Sequence, residues 1–95
     1  MQSLRAAYHT ILFFDQVGEF EQSFKRGDFA RAETLYKSIE HHGNELLRNG
    51  GTLEFSRPGD PLPFLLEFLQ LRLHYGKGEI TAEAYERNCE RMGIR

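Results

Sequence analysis

The chain carries one cysteine and three prolines in 95 residues. With Cys89 alone, no intramolecular disulfide can form, and a lone thiol suits a reducing compartment. Neither sign of charge is in excess. Twelve basic residues against 14 acidic ones leave a formal net charge of −2, which excludes a strongly basic nucleic-acid tail. No low-complexity segment, linker or block of like charge is present. Long apolar runs are missing too. The most apolar stretch, Pro61 to Leu73, is broken by Glu67, Gln70 and Arg72, whereas a bilayer span takes about 20 apolar residues. Near the N-terminus the apolar run is only Ile11 to Phe14, with His9 before it and Asp15 after it. That is too short for the core of a signal peptide. The expectation is a cytoplasmic protein with no membrane partner.

What is there is an ordinary globular composition, 40% hydrophobic and 27% charged. A chain of this length makes one domain, residues 1–95, that buries roughly 60–65% of its unfolded surface. Apolar spacing predicts four helices. The first runs from about Ser3 to Arg26, with Phe13, Val17, Phe20 and Phe24 on one stripe and Leu4, Tyr8, Ile11 and Leu12 on an adjacent face. Gly18 opens this helix to a kink or break, because glycine costs about 1 kcal/mol there relative to alanine. Gly27 ends it and Asp28 caps the second. The second helix reads Phe29, Ala32, Tyr36, Ile39, Gly43 and Leu46, widened by Leu35 and Leu47, and stops at Asn49-Gly50-Gly51.

Residues 51–60 read as an irregular connector, in which Leu53 and Phe55 alternate with polar neighbours as a short extended piece would. Asp60 is placed to cap a third helix, with Pro61 at its favoured first position. That helix has two apolar stripes. Leu62, Leu65, Leu66, Leu69 and Leu73 form one; Phe64, Phe68, Leu71 and Tyr75 form the other. One stripe suffices for a surface helix, so with two the helix is either central to the fold, its four aromatic-face residues filling the core, or in contact with a second chain. Thr81 caps a short last helix with Glu83 in its first turn, the stripe Ala82, Tyr85, Cys89 and Met92, and Gly93 as C-cap. The fold class expected is all-α, with about four helices in two hairpins, residues 1–50 and 61–95, joined by the irregular segment.

Two stretches resemble known families. Lys25-Arg26-Gly27-Asp28-Phe29-Ala30-Arg31-Ala32, with Tyr36 beyond it, is similar to the central turn of a tetratricopeptide repeat. The first-helix positions that hold Trp, Leu and Gly in that repeat are Gln16, Glu19 and Phe20 here, no proline closes the unit, and about three units are needed for stability. From about Leu69 to Ile94 the chain resembles the short C-terminal domain family, SHOCT. The residues that carry this are the aliphatic helix and Gly78-Glu79-Ile80-Thr81-Ala82-Glu83-Ala84-Tyr85-Glu86, with Ala84 in place of the usual second acid. The resemblance implies a helical hairpin and a protein-contact role, and brings no catalytic residues.

Candidate chemistry is sparse. Arg26-Gly27-Asp28 matches an integrin-type tripeptide, but helix stop and start account for all three residues. Glu40, His41, His42 and Glu45 suggest a metal, with His41 and Glu45 on one helix face. A zinc site needs three or four ligands, and His9 and His74 stand alone in sequence, so no metal site is expected. Cys89 lies on an apolar stripe, where cysteine acts as a small hydrophobe. Gly76 and Gly78 precede a helix without the strand or third glycine of a dinucleotide site. Arg87, Arg91 and Arg95 recur every fourth residue and are candidates to track phosphates, with Arg72 and Lys77 as possible neighbours. Glu83, Glu86 and Glu90 interleave with them.

The expected function is a small non-enzymatic interaction module or oligomerising regulator, with no cofactor. Its partner would be another protein or a second copy in a homodimer. Contact would run through Phe64, Phe68, Leu71 and Tyr75, because aromatic anchors dominate protein contacts. A nucleic-acid-associated regulator using the three arginines is the alternative. A small phage- or plasmid-type inhibitor of a host defence or nucleic-acid-processing complex is another.

Overall fold

The computed structural model describes residues 4–51 and 61–93. These form four helices, α1 (Leu4–Lys25), α2 (Phe29–Arg48), α3 (Pro61–Gly76) and α4 (Ala82–Met92), and the protein is all-α. The suggested cap Asp60, the Leu53–Phe55 piece and the cap Ser3 lie outside the described residues.

Local chemistry sets the helix ends. At the end of α1 the Gly27 N–H donates to the Phe24 carbonyl at 3.0 Å and the Asp28 N–H to the Ser23 carbonyl at 2.9 Å. This paired closure needs a left-handed residue between the two bonds, and Gly27 supplies it at φ 76°. Asp28 then accepts from the Arg31 N–H at 3.2 Å and starts α2. The integrin-type tripeptide is therefore occupied by helix ends. The same pair of bonds closes α2 through Gly50 and Gly51, and α3 through Gly78 and Glu79. Thr81 caps α4 by accepting from the Ala84 N–H at 3.1 Å, and Gly93 ends it in the left-handed region. The kink or break to which Gly18 opens the helix does not occur, since α1 passes through it without interruption.

Consecutive helices run antiparallel. His9 meets His42 near the ends of α1 and α2, and Glu19 meets Arg31 beside their turn. Leu62 approaches Gly43 and Phe29 approaches Gly76 at opposite ends of α2 and α3. Glu67 meets Arg91, and Tyr75 meets Tyr85, along α3 and α4. The core is Phe13, Phe20, Ala32, Leu35, Ile39, Leu46, Leu62, Leu69 and Leu73, with Val17, Phe24, Tyr36, Leu65 and Leu66 packed against it. It is thus built by three helices. Cys89 and Met92 of α4 are buried but lie outside this cluster. Principal extents of 44 × 29 × 15 Å describe a slab. A helix with its side chains is about 10–12 Å across, so the slab is thin and much helix surface faces water.

Candidate interaction surfaces

The second stripe of α3 is largely taken up within the chain. Phe64, Phe68 and Leu71 are half-buried and Tyr75 remains 39% exposed. A charged residue supplies part of the cover. The Arg72 guanidinium carbon lies 4.4 Å from the centroid of Phe24 on α1 and 5.5 Å from that of Phe68, and the guanidinium pairs with Glu21. Its flat apolar faces suit aromatic rings while its edge stays paired. Burial pulls the Arg72 pKa below its ordinary value, with Tyr85 and Cys89 acting in the opposite direction. Tyr75 stacks on Tyr85 with ring centroids 4.5 Å apart and planes 20° apart. Burial, and next to it Cys89, pushes the Tyr85 pKa up.

The arginine candidates are not a free stripe. Arg91 reaches Glu67 at 2.6 Å and Asn88 at 3.3 Å, tying α4 to α3. Arg87 is exposed, and Arg95 lies outside the described residues. The two suggested neighbours are engaged elsewhere, Arg72 with Glu21 and Lys77 with Glu33. Cys89 is buried beside Tyr85, as its apolar stripe implied.

His9 does not stand alone, contrary to the reading from sequence. The antiparallel register of α1 and α2 brings it to His41 and His42, 33 positions away from the latter. The His9 and His42 Nδ1 atoms are 2.8 Å apart. Ring centroids lie 5.0 Å apart for His9–His42, 5.1 Å for His41–His42 and 5.9 Å for His9–His41. Burial first, then His9 and His41, lower the His42 pKa. Among the described residues, no three histidine, cysteine or carboxylate side chains are disposed to hold a metal ion. His74 sits apart from this cluster, 3.3 Å from Glu79.

Among the described residues, the most exposed large apolar side chains are on α1. Leu4 is 92% exposed, Ile11 64%, Tyr8 59% and Phe14 49%. Leu4, Tyr8 and Ile11 lie on the side of α1 away from the buried Ala6, Phe13 and Phe20, and Phe14 lies on the flank, edge-on to Phe13 with ring centroids 5.2 Å apart. Three of them belong to the adjacent-face cluster visible in the sequence. Its fourth member, Leu12, is half-buried, and Phe14 takes its place. The signal that finds this surface is a second periodicity within one helix, with apolar or small residues at 4, 7, 11, 14 and 18.

No family model, curated protein or solved structure matches this chain. The two family resemblances rest on their residues alone.

Proposed function

We propose that this protein is a small, non-catalytic helical interaction module that docks an amphipathic partner helix along the outer face of α1. The observation that supports this is the row of exposed large side chains Leu4, Tyr8, Ile11 and Phe14. The largest apolar patch on a monomer is often the one that contacts another molecule. Two of the four are aromatic, the residue class that anchors protein contacts. Flanking Arg5, Asp15 and Glu19 supply a charged rim that selects among partners. The α3 stripe is the weaker surface, because Arg72, Phe24 and Tyr85 already lie against it.

A photo-crosslinking amino acid placed at position 11 should give protein adducts in living cells. The same group at position 87, on the exposed side of α4, should not. Adducts from position 87 with none from position 11 would overturn this reading.

A further inference from the structure

Three imidazoles meet near the start of α1 and the end of α2. His9 and His42 are half-buried and His41 is exposed. The His9 and His42 Nδ1 atoms stand 2.8 Å apart, although 33 positions separate the two residues in the chain. A neutral imidazole donates through one ring nitrogen and accepts through the other. The contact therefore joins one N–H to one lone pair, and the ring centroids, 5.0 Å apart, set the two nitrogens almost head-on.

We propose that His9 and His42 form a two-ligand site for a tetragonal divalent metal ion, copper(II) above all, which clasps α1 to α2. The distance selects the ion. Two nitrogens 2.8 Å apart subtend about 90° at an ion that sits about 2.0 Å from each. That is the angle between neighbouring ligands in the square-planar or tetragonal sites of copper(II) and nickel(II). The tetrahedral angle of a zinc site would set the nitrogens about 3.3 Å apart. Copper(II) also stands highest in the affinity order of the divalent first-row ions for nitrogen ligands.

To bind the ion, both rings turn about the soft Cβ–Cγ torsion and aim their lone pairs at one point. The proton shared between them passes through water to the remote Nε2 of the ring that carried it, so both ligands stay neutral imidazoles. Burial first, then His9 and His41, lower the His42 pKa, and a histidine that binds protons less readily leaves its lone pair to the metal. Two ligands make an open site. No third histidine, cysteine or carboxylate among the described residues closes it, so water fills the remaining positions. The charges nearby in sequence are balanced. Arg5 lies within about a turn of His9, Glu40 and Glu45 lie within about a turn of His42, and Glu45 pairs with Arg48. The two ligands come together only when α1 and α2 are packed. The ion therefore binds the folded chain in preference to the unfolded one and stabilises it.

The test is a titration of the purified full chain with copper(II) at about pH 7.5, where free histidine is neutral. Electron paramagnetic resonance and visible absorption follow the metal, and circular dichroism checks helicity. One ion should bind per chain, with an axial signal split by two imidazole nitrogens. The midpoint of thermal unfolding should rise with copper concentration. His9→Gln and His42→Gln should each weaken binding by at least about tenfold and remove the rise in the midpoint. His41→Gln and His74→Gln should leave both nearly unchanged. Nickel(II) should follow the same pattern more weakly. Copper binding that survives His9→Gln and His42→Gln would place the ion elsewhere and overturn the clasp. An equal loss with His41→Gln would overturn the choice of these two ligands. Because the wild-type spectrum itself counts the nitrogens, a signal with one or none would overturn the site even if the variants failed to fold.

Discussion

The three-helix body formed by α1, α2 and α3 and the single helix α4 are held by different forces. In the body, Phe13, Phe20, Ile39, Leu46 and Leu69 are all fully buried, and every one sits in a shared apolar cluster. By contrast α4 has 11 residues, below the roughly 12–15 at which even good helix formers become stable alone. It is attached by Cys89 and Met92, by the Tyr75–Tyr85 stack, and by the Arg91–Glu67 pair. That ion pair is more than half exposed on both sides, and such pairs contribute about 0–1 kcal/mol. The lesson is that the hairpin as a unit of topology is not the unit of stability. Although α3 and α4 are consecutive partners, α3 belongs energetically with α1 and α2.

The largest effect expected follows from that difference. Phe20→Ala removes a fully buried ring from the body and should cost about 3–5 kcal/mol. Domains are stable by only about 5–15 kcal/mol, so the variant should lie close to global unfolding in a urea titration. Met92→Ala should cost about 2 kcal/mol, read mainly as faster amide exchange in α4. If the Met92 substitution instead lowered protection equally in all four helices, the two regions would be one cooperative unit and the contrast would be broken.

How much of this was legible beforehand depends on the range of the interaction. Helix ends were legible, because Asp28, Thr81, Gly27 and Gly93 act within a few residues of themselves. The inward stripe was legible too. Phe13 and Phe20 carry the helical period and are both fully buried. What periodicity does not give is which of two apolar faces finds a cover. The second face of α3 is half-covered partly by Arg72 lying over Phe24 and Phe68. In the sequence Arg72 reads as a break in the apolar run. The histidine cluster depends on the register of α1 against α2, which no local pattern encodes. The α1 row was visible as apolar residues, but its exposure is a fact of packing.

A smaller effect sharpens the contrast between the packed and open sides of the body. At Gly43 a Cβ would stand 2.7 Å from Leu62 Cδ1 and 3.1 Å from Phe13 Cε2. At Gly18 nothing lies within 4 Å. Alanine favours a helix over glycine by about 1 kcal/mol at either place. Gly18→Ala should therefore raise stability by up to about 1 kcal/mol. Gly43→Ala should lower it by about 1 kcal/mol, because overpacking costs about 1–3 kcal/mol and the buried Phe13 ring has little room to give. Thermal melts of dilute protein compare the two. Equal gains would show that Leu62 is free to withdraw and that α3 packs on α2 less tightly than its burial implies.

The smallest effect expected is with pH, and it belongs to the body. The Nδ1–Nδ1 contact between His9 and His42 holds only while at least one of the two nitrogens is free to accept. Around it stand Tyr8 from α1 and His41 from α2, with Arg5, Glu40 and Glu45 within about a turn of the cluster in sequence and Glu45 paired to Arg48. Burial and the neighbouring imidazoles lower the His42 pKa from the ordinary 6.5. The fold therefore binds this proton less readily than the unfolded chain does. Above pH 6.5 neither state is protonated and the contribution is fully present. As the pH falls below that value, the unfolded chain takes up the proton first and stability declines. The decline ends once the folded His42 is itself protonated. His42→Gln should flatten this slope in urea titrations between pH 7.5 and 5. Amide exchange should place the wild-type loss at the His9 and His42 ends of α1 and α2. A slope that survives the substitution, or a loss that begins in α4, would mean that another group links protons to the fold.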